Sequence, residues 1–158
     1  MLFRWRVIAF AGRVFLNIHA LERELQPGIG VEWSSVSVDD FETKPSYREQ
    51  ILLIRSADVV VMAHGAGCQW GIFMDPTSAL LELGMCDSLH KFFAFTRPPG
   101  LHVGIDLSKT KAKLTLSAEQ EARHCGAACD CHRSATINPT EFLAHVRGMV
   151  KRWHEHQA

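Results

Sequence analysis

Two short runs near the middle of the chain limit its fold more than any other feature. Val59 to Met62 reads Val-Val-Val-Met and Ala79 to Leu83 reads Ala-Leu-Leu-Glu-Leu, apolar at every position except Glu82. A strand with one wet face alternates polar and apolar residues. A short run without alternation therefore reads as a strand covered on both faces, as in a parallel sheet. Helical stretches surround these runs. Ser46 opens Ser-Tyr-Arg-Glu-Gln, with Glu49 three residues on, a capping-box spacing that predicts a helix ahead of Asp58. Leu16, Leu21 and Leu25 predict an earlier helix over Asn17 to Gln26, ended by Pro27 and Gly28, and Gly67 to Met74 reads as a later one, closed by Asp75 and Pro76. Val7 to Phe10 and Ile29 to Val38 supply two strands upstream. The alternating order predicts an α/β fold built on a Rossmann-like wound parallel sheet.

Beyond Gly84, Phe92 to Phe95 and His102 to Asp106 read as further short strands, with Pro98, Pro99 and Gly100 as the turn between them. Lys109 to Arg133 is polar and irregular and reads as a surface loop. Thr140 to His154 is a terminal helix introduced by Asn138 and Pro139, with Phe142, Val146, Met149, Val150 and Trp153 on one face and a frayed end at His154 and His156. No repeat or low-complexity linker divides the 158 residues, so residues 1–158 read as a single domain.

Hydrophobic residues make up 47% of the chain and charged residues 22%, the balance of a globular protein rather than a disordered one. The formal net charge is zero, which recommends neither nucleic acid nor an anionic membrane as partner. No apolar run reaches the roughly 18 to 20 residues of a bilayer span, so no transmembrane segment is expected in this chain. Arg4 and Arg6 precede a short apolar run, but Arg13 interrupts it without a small-residue cleavage site, and no targeting signal is visible.

The sequence between the two apolar runs is the candidate site. His64, Gly65, Ala66 and Gly67 follow the first run directly and lead into the expected helix. Ligands of open parallel sheets gather at the carboxyl ends of strands, where backbone N–H groups and the helix dipole attract anions and glycine admits a phosphate without a clashing Cβ. His64 would add a hydrogen bond or, if protonated, a charge. A tight strand-to-helix turn with a satisfied histidine fits the same residues, and both readings stay open on spacing alone. Gly65, Gly67 and Gly71 also approximate a dinucleotide fingerprint with Glu82 as its acidic ribose partner, but that fingerprint has no histidine. His-Gly-Ala-Gly is similar to the oxyanion loop of esterases, yet the chain has no Gly-x-Ser-x-Gly nucleophile elbow.

More than the turn fits a fourth pattern. The stretch EQILLIRSADVVVMAHGAGCQWGIFMDPTSALLEL, Glu49 to Leu83, closely resembles the carboxyl-terminal part of the family 61 glycosyltransferases. There, a Glu-Gln helix leads to Ala-Asp, an apolar strand, His-Gly-Ala-Gly, a Phe-Met-x-Pro segment and a strand ending in Glu. Arg13 and Asn17 in GRVFLN resemble an upstream Arg-x-x-x-Asn segment of that family, and HRSATINPTEFLAHVRGMVKRW is similar in character to its closing helix. After the glycine turn this chain has Cys68, Gln69 and Trp70, where the family has leucine and a small polar pair. The resemblance implies one half of a GT-B enzyme, the carboxyl-terminal domain that holds a UDP-sugar donor, with the amino-terminal domain missing from this chain. It further implies an inverting transfer to a glycan or glycoprotein acceptor in the Golgi or endoplasmic reticulum lumen, with no metal at the donor site and no cofactor beyond the UDP-sugar substrate. The implied donor-binding residues are Arg13, Asn17, Gln50, His64, Gly65, Ala66, Gly67 and Glu82; the catalytic base is expected from the other domain. A non-catalytic nucleotide-binding or interaction module derived from such a domain is the alternative. Glu49 fits capping as well as bracing the loop, Asn17 fits capping of the first helix, and Glu82 fits ribose binding or anchoring of the adjacent loop.

Five cysteines leave at least one unpaired. Cys68 and Cys86 stand among apolar residues and read as core thiols. Cys125, Cys129 and Cys131 crowd one loop between His124 and His132, where zinc, a disulfide and free thiols all remain open.

Overall fold

The two unbroken apolar runs lie side by side. In the computed structural model, which describes residues 5–8, 16–17, 20–21, 23, 33–36, 46–64, 66–84, 97–115 and 134–157, they form β3 (Val59–Ala63) and β4 (Ala79–Gly84), and every residue of both is buried. With β1 (Trp5–Ile8), β2 (Trp33–Val36) and β5 (His102–Asp106) they make a parallel sheet in the order β2-β1-β3-β4-β5. The α/β expectation holds. The order turns back on itself between β1 and β3, which creates a topological switch point there.

Period-two geometry sends alternate residues of β3 and β4 to opposite layers. Val60, Met62 and Leu80 pack with Ile54, Ala57, Cys68 and Met74 on the face covered by α1 (Tyr47–Arg55). Val59, Val61, Ala63, Ala79, Leu81 and Leu83 pack on the other face with Leu21 and with Phe142, Val146, Met149 and Trp153 of α2 (Pro139–Gln157). Burying each such side chain stabilises the fold by about 1.5–3 kcal/mol, which explains why neither strand carries a polar alternation.

Both helices start where sequence chemistry places them. The Ser46 side chain accepts from the Glu49 N–H, and Glu49 Oε2 accepts from the Ser46 N–H at 2.6 Å, completing the capping box. Asn138 Oδ1 accepts from the Glu141 N–H at 3.1 Å, with Pro139 in the first turn. The helix continues to Gln157, so His154 and His156 lie within it rather than in a frayed end.

Other boundaries differ from expectation. β1 begins two residues earlier than Val7, because its limits follow the ladder that pairs Trp5 with Val59 and Ile8 with Met62 rather than the apolar run. Within the expected loop, Lys113–Thr115 forms β6, antiparallel to β7 (Ser134–Thr136). Three residues are too few to show a period. The segment Ala66–Phe73 is a 3-10 helix rather than an α-helix. It holds two glycines and no capping side chain, and its carboxyl end is braced from outside. Arg97, 8% exposed, donates to the carbonyls of Gly71 at 2.8 Å, Ser78 at 3.2 Å and Met74 at 3.4 Å, and also to that of Asp75. These carbonyls lie at and just beyond the helix end, where a guanidinium with five donors satisfies several at once. The expected strand over Phe92 to Phe95 lies outside the described residues.

The Pro98–Gly100 turn is present. The Leu101 N–H donates to the Pro98 carbonyl at 3.0 Å, and Gly100 has φ +88°, as the third position of a type II turn requires. This turn delivers the chain into β5. Replacement of Gly100 by alanine meets no atom within 4 Å, so only the backbone resists it; Gly100→Ala is expected to lower stability by about 1–2 kcal/mol in urea unfolding. Arg97→Lys exchanges a planar fork for a point charge. A loss of about 3 kcal/mol is expected from the same measurement, with the largest backbone shift changes in residues 71–78.

Candidate functional site

His64 follows the last residue of β3, and its N–H continues the sheet ladder to the Leu83 carbonyl at 2.8 Å. Only Ser56 to Asp58 separate α1 from β3, so the helix runs back against the strand and its amino end lies level with the strand's carboxyl end. Gln50, in the second turn of α1 and 7% exposed, is thereby brought toward the same edge as His64. The 3-10 helix starts at Ala66 and places Ala66 and Gly67 in its first turn. Gly65 and Arg13 lie outside the described residues.

Glu82 is not at the end of its strand. It occupies the fourth position of β4, pairs with Met62 on one side and Gly104 on the other, and is fully buried. His64 Nδ1 hydrogen-bonds to Glu82 Oε1, and His102 Nε2 hydrogen-bonds to Glu82 Oε2 at 2.8 Å. The register explains the meeting. His102 lies two residues behind the position opposite Glu82 on β5 and therefore shares its face, while His64 lies two residues ahead of it on the other side. Gly104, directly across, brings no side chain. The carboxylate thus joins two imidazoles along a diagonal of three adjacent strands, and of the three side chains His64, at 20% exposure, is the most open, with His102 at 5% and Glu82 at 0%.

Burial alone would raise the Glu82 pKa; the hydrogen bonds from His102 and His64, and their charges, hold it below the ordinary 4.5. Both carboxylate oxygens are engaged within the fold, one by each histidine.

Asn17 is also engaged at a distance. Its Nδ2 donates to the Ile137 carbonyl at 2.8 Å and its Oδ1 accepts from the Ile137 N–H at 3.0 Å, while the Leu16 N–H donates to the Ala135 carbonyl at 2.9 Å. The side chain clips the segment after β1 to the entry of α2. Its backbone carbonyl accepts from the N–H groups of Ala20 at 2.9 Å and Leu21 at 3.1 Å. Cys68 is buried and its thiol donates to the Ala63 carbonyl at 3.4 Å, as a core thiol does. Trp70 packs with Tyr47, ring centroids 5.1 Å apart, and with Phe73 at 5.5 Å, joining the 3-10 helix to the start of α1. Cys86 and the loop of Cys125, Cys129 and Cys131 lie outside the described residues.

The sequence reading missed His102 and Arg97. His102 carries no motif, and its only signal is a histidine entering an otherwise apolar segment two positions before a glycine. Arg97 carries no motif either, and its carbonyl partners lie 19 to 26 positions upstream.

Residues 6–81 match the family model described as Glycosyltransferase 61, which supports a family 61 glycosyltransferase domain over this stretch. The match takes in β1 from its second residue, β2, α1, β3, His64 and the 3-10 helix. It stops one residue before Glu82, with His102 beyond it. No curated protein matches the chain. No helix among the described residues is long and apolar enough to cross a membrane.

Because the Glu82 pKa is lower in the fold than the ordinary 4.5, its contribution to stability is full above that value and is lost as pH falls through the folded pKa. Glu82→Gln is expected to be less stable than the native chain by about 1.5–3 kcal/mol at neutral pH. The gap narrows in acid, as urea unfolding over a pH series would read.

Proposed function

We propose that this chain, which carries family 61 glycosyltransferase sequence over residues 6–81, is the nucleotide-sugar-binding half of an inverting glycosyltransferase of GT-B type. The observation that carries the reading is the position of His64. It stands at the carboxyl end of β3, beside the switch point of a parallel sheet and at the entrance to the 3-10 helix, inside the matched stretch. Open α/β sheets bind their ligands at such points.

A glycosyltransferase acts on a sugar donor and an acceptor. The donor proposed here is a UDP-sugar, the acceptor a glycan or glycoprotein, and the setting the lumen of the Golgi or endoplasmic reticulum. As the sugar bond breaks, negative charge develops on the departing diphosphate, and preorganised donors directed at it lower the barrier. His64 and Arg13 supply side-chain donors, and the N–H groups of Gly65, Ala66 and Gly67 supply the backbone ones. Gln50, beside this edge, meets the nucleoside. No metal is assigned to the step. A second domain supplies the acceptor surface and the base that takes the acceptor's hydroxyl proton. Asn17 and Glu82 act through the scaffold, the first by joining β1's exit to α2 and the second through His64.

The test is calorimetric titration of UDP into the full chain. Saturable binding is expected, weakened about tenfold or more by His64→Ala and by Arg13→Ala, since each removes a charge-assisted or neutral hydrogen bond to phosphate. Absence of heat and of backbone shift changes with the native chain would leave the non-catalytic interaction module as the surviving reading.

A further inference from the structure

Glu82 is hard to explain by stability alone. It stands in a strand whose other positions are Ala, Leu, Leu, Leu and Gly, all buried. A leucine there would fill the same layer without desolvating a charge, and replacing buried ionic groups by apolar ones is often neutral or stabilising. Two imidazoles satisfy the carboxylate, yet only one of them approaches the surface in earnest. His102 is nearly as enclosed as Glu82, so the cluster opens outward through His64. A buried carboxylate that leads to one partly exposed histidine at a strand's carboxyl end has the form of a device for orienting that histidine.

We propose that Glu82, held from behind by His102, is a positioning residue that fixes the His64 ring by accepting a hydrogen bond from its Nδ1–H and supplies the counter-charge to the imidazolium when a diphosphate binds. The inference rests on the donor-binding reading of His64. With the Nδ1–H of the ring donating to the Glu82 carboxylate, the ring can donate to a phosphoryl oxygen only through a proton on Nε2, so binding takes one proton from solvent onto Nε2 and leaves the other on Nδ1. His102 holds Oε2 and thereby prevents the carboxylate from turning away from Oε1's partner. Among the described residues, the titratable groups on the buried sides of the elements around His64 are Glu82 of β4, His102 of β5 and Cys68 of the 3-10 helix; the buried side of α1 offers Gln50 and Ile54, which do not titrate. Glu82 and His102 both lie past the matched stretch, which ends at residue 81.

Nitrogen NMR of the histidine rings in the full chain, with and without UDP, tests the assignment together with UDP titration of three variants. Free protein in the neutral-ring state should show the His64 proton on Nδ1, the less common tautomer in water, and the UDP complex should show both nitrogens protonated. Glu82→Gln keeps an acceptor oxygen but removes the counter-charge. It should lower the protonated fraction of the His64 ring in the UDP complex and weaken UDP about tenfold or more. His102→Leu should weaken UDP several-fold, and His102→Gln, whose amide keeps a donor near Oε2, should restore most of that loss; this pair carries the test if Glu82→Gln does not fold. UDP binding with unchanged affinity and an unchanged ring state in Glu82→Gln, or equal affinities of His102→Leu and His102→Gln to the native chain, would overturn the positioning role and leave the donor site standing. No binding of UDP to the native chain would overturn the donor site itself, and the role of Glu82 with it.

Discussion

Complete burial of β3 and β4 on both faces is the constraint from which the rest of the structure follows. Each strand contributes apolar side chains to two layers at once, so the chain must supply cover on both sides: α1 and the 3-10 helix on one, α2 and the segment around Leu21 on the other. A sheet covered in this way leaves only its strand ends accessible. Polar side chains of the two central strands therefore have two destinations, the carboxyl edge or an enclosed site furnished with partners. His64 takes the first and Glu82 the second, and a hydrogen bond joins them.

The 3-10 helix shows how the edge is kept in shape without regular capping. Its eight residues exceed the three or four that such helices commonly reach. At its far end the Arg97 guanidinium gathers four carbonyls, and along its side Trp70 is held between Tyr47 and Phe73. The helix is thus fixed at the end away from His64 and along one flank. The first turn, where Ala66 and Gly67 stand, is the part left to define the mouth of the site.

What the sequence disclosed and what it withheld divide along physical lines. Strands β3 and β4, the capping box at Ser46 and the apolar face of α2 were legible because each rests on local pattern: unbroken apolarity, a three-residue spacing, a helical period. The Pro98–Gly100 turn was legible because glycine at its third position has a conformational reason. By contrast, the partners of Glu82, Arg97 and Asn17 come from elements far along the chain, and no local period encodes them. Glu82 stood out as the one charged residue in its run, yet its neighbours depended on a register between β4 and β5 that only the folded sheet fixes. The 3-10 character of Ala66–Phe73 was equally hidden, since it is supported by an arginine more than twenty positions downstream.

The clip between Asn17 and Ile137 spans 120 positions. A ribosome releases the asparagine long before its backbone partner has been translated, and loop closure over such a separation is entropically slow. The join cannot form until Ile137 has left the ribosome, and a product truncated ahead of it keeps the asparagine amide without the backbone N–H and carbonyl that amide pairs with.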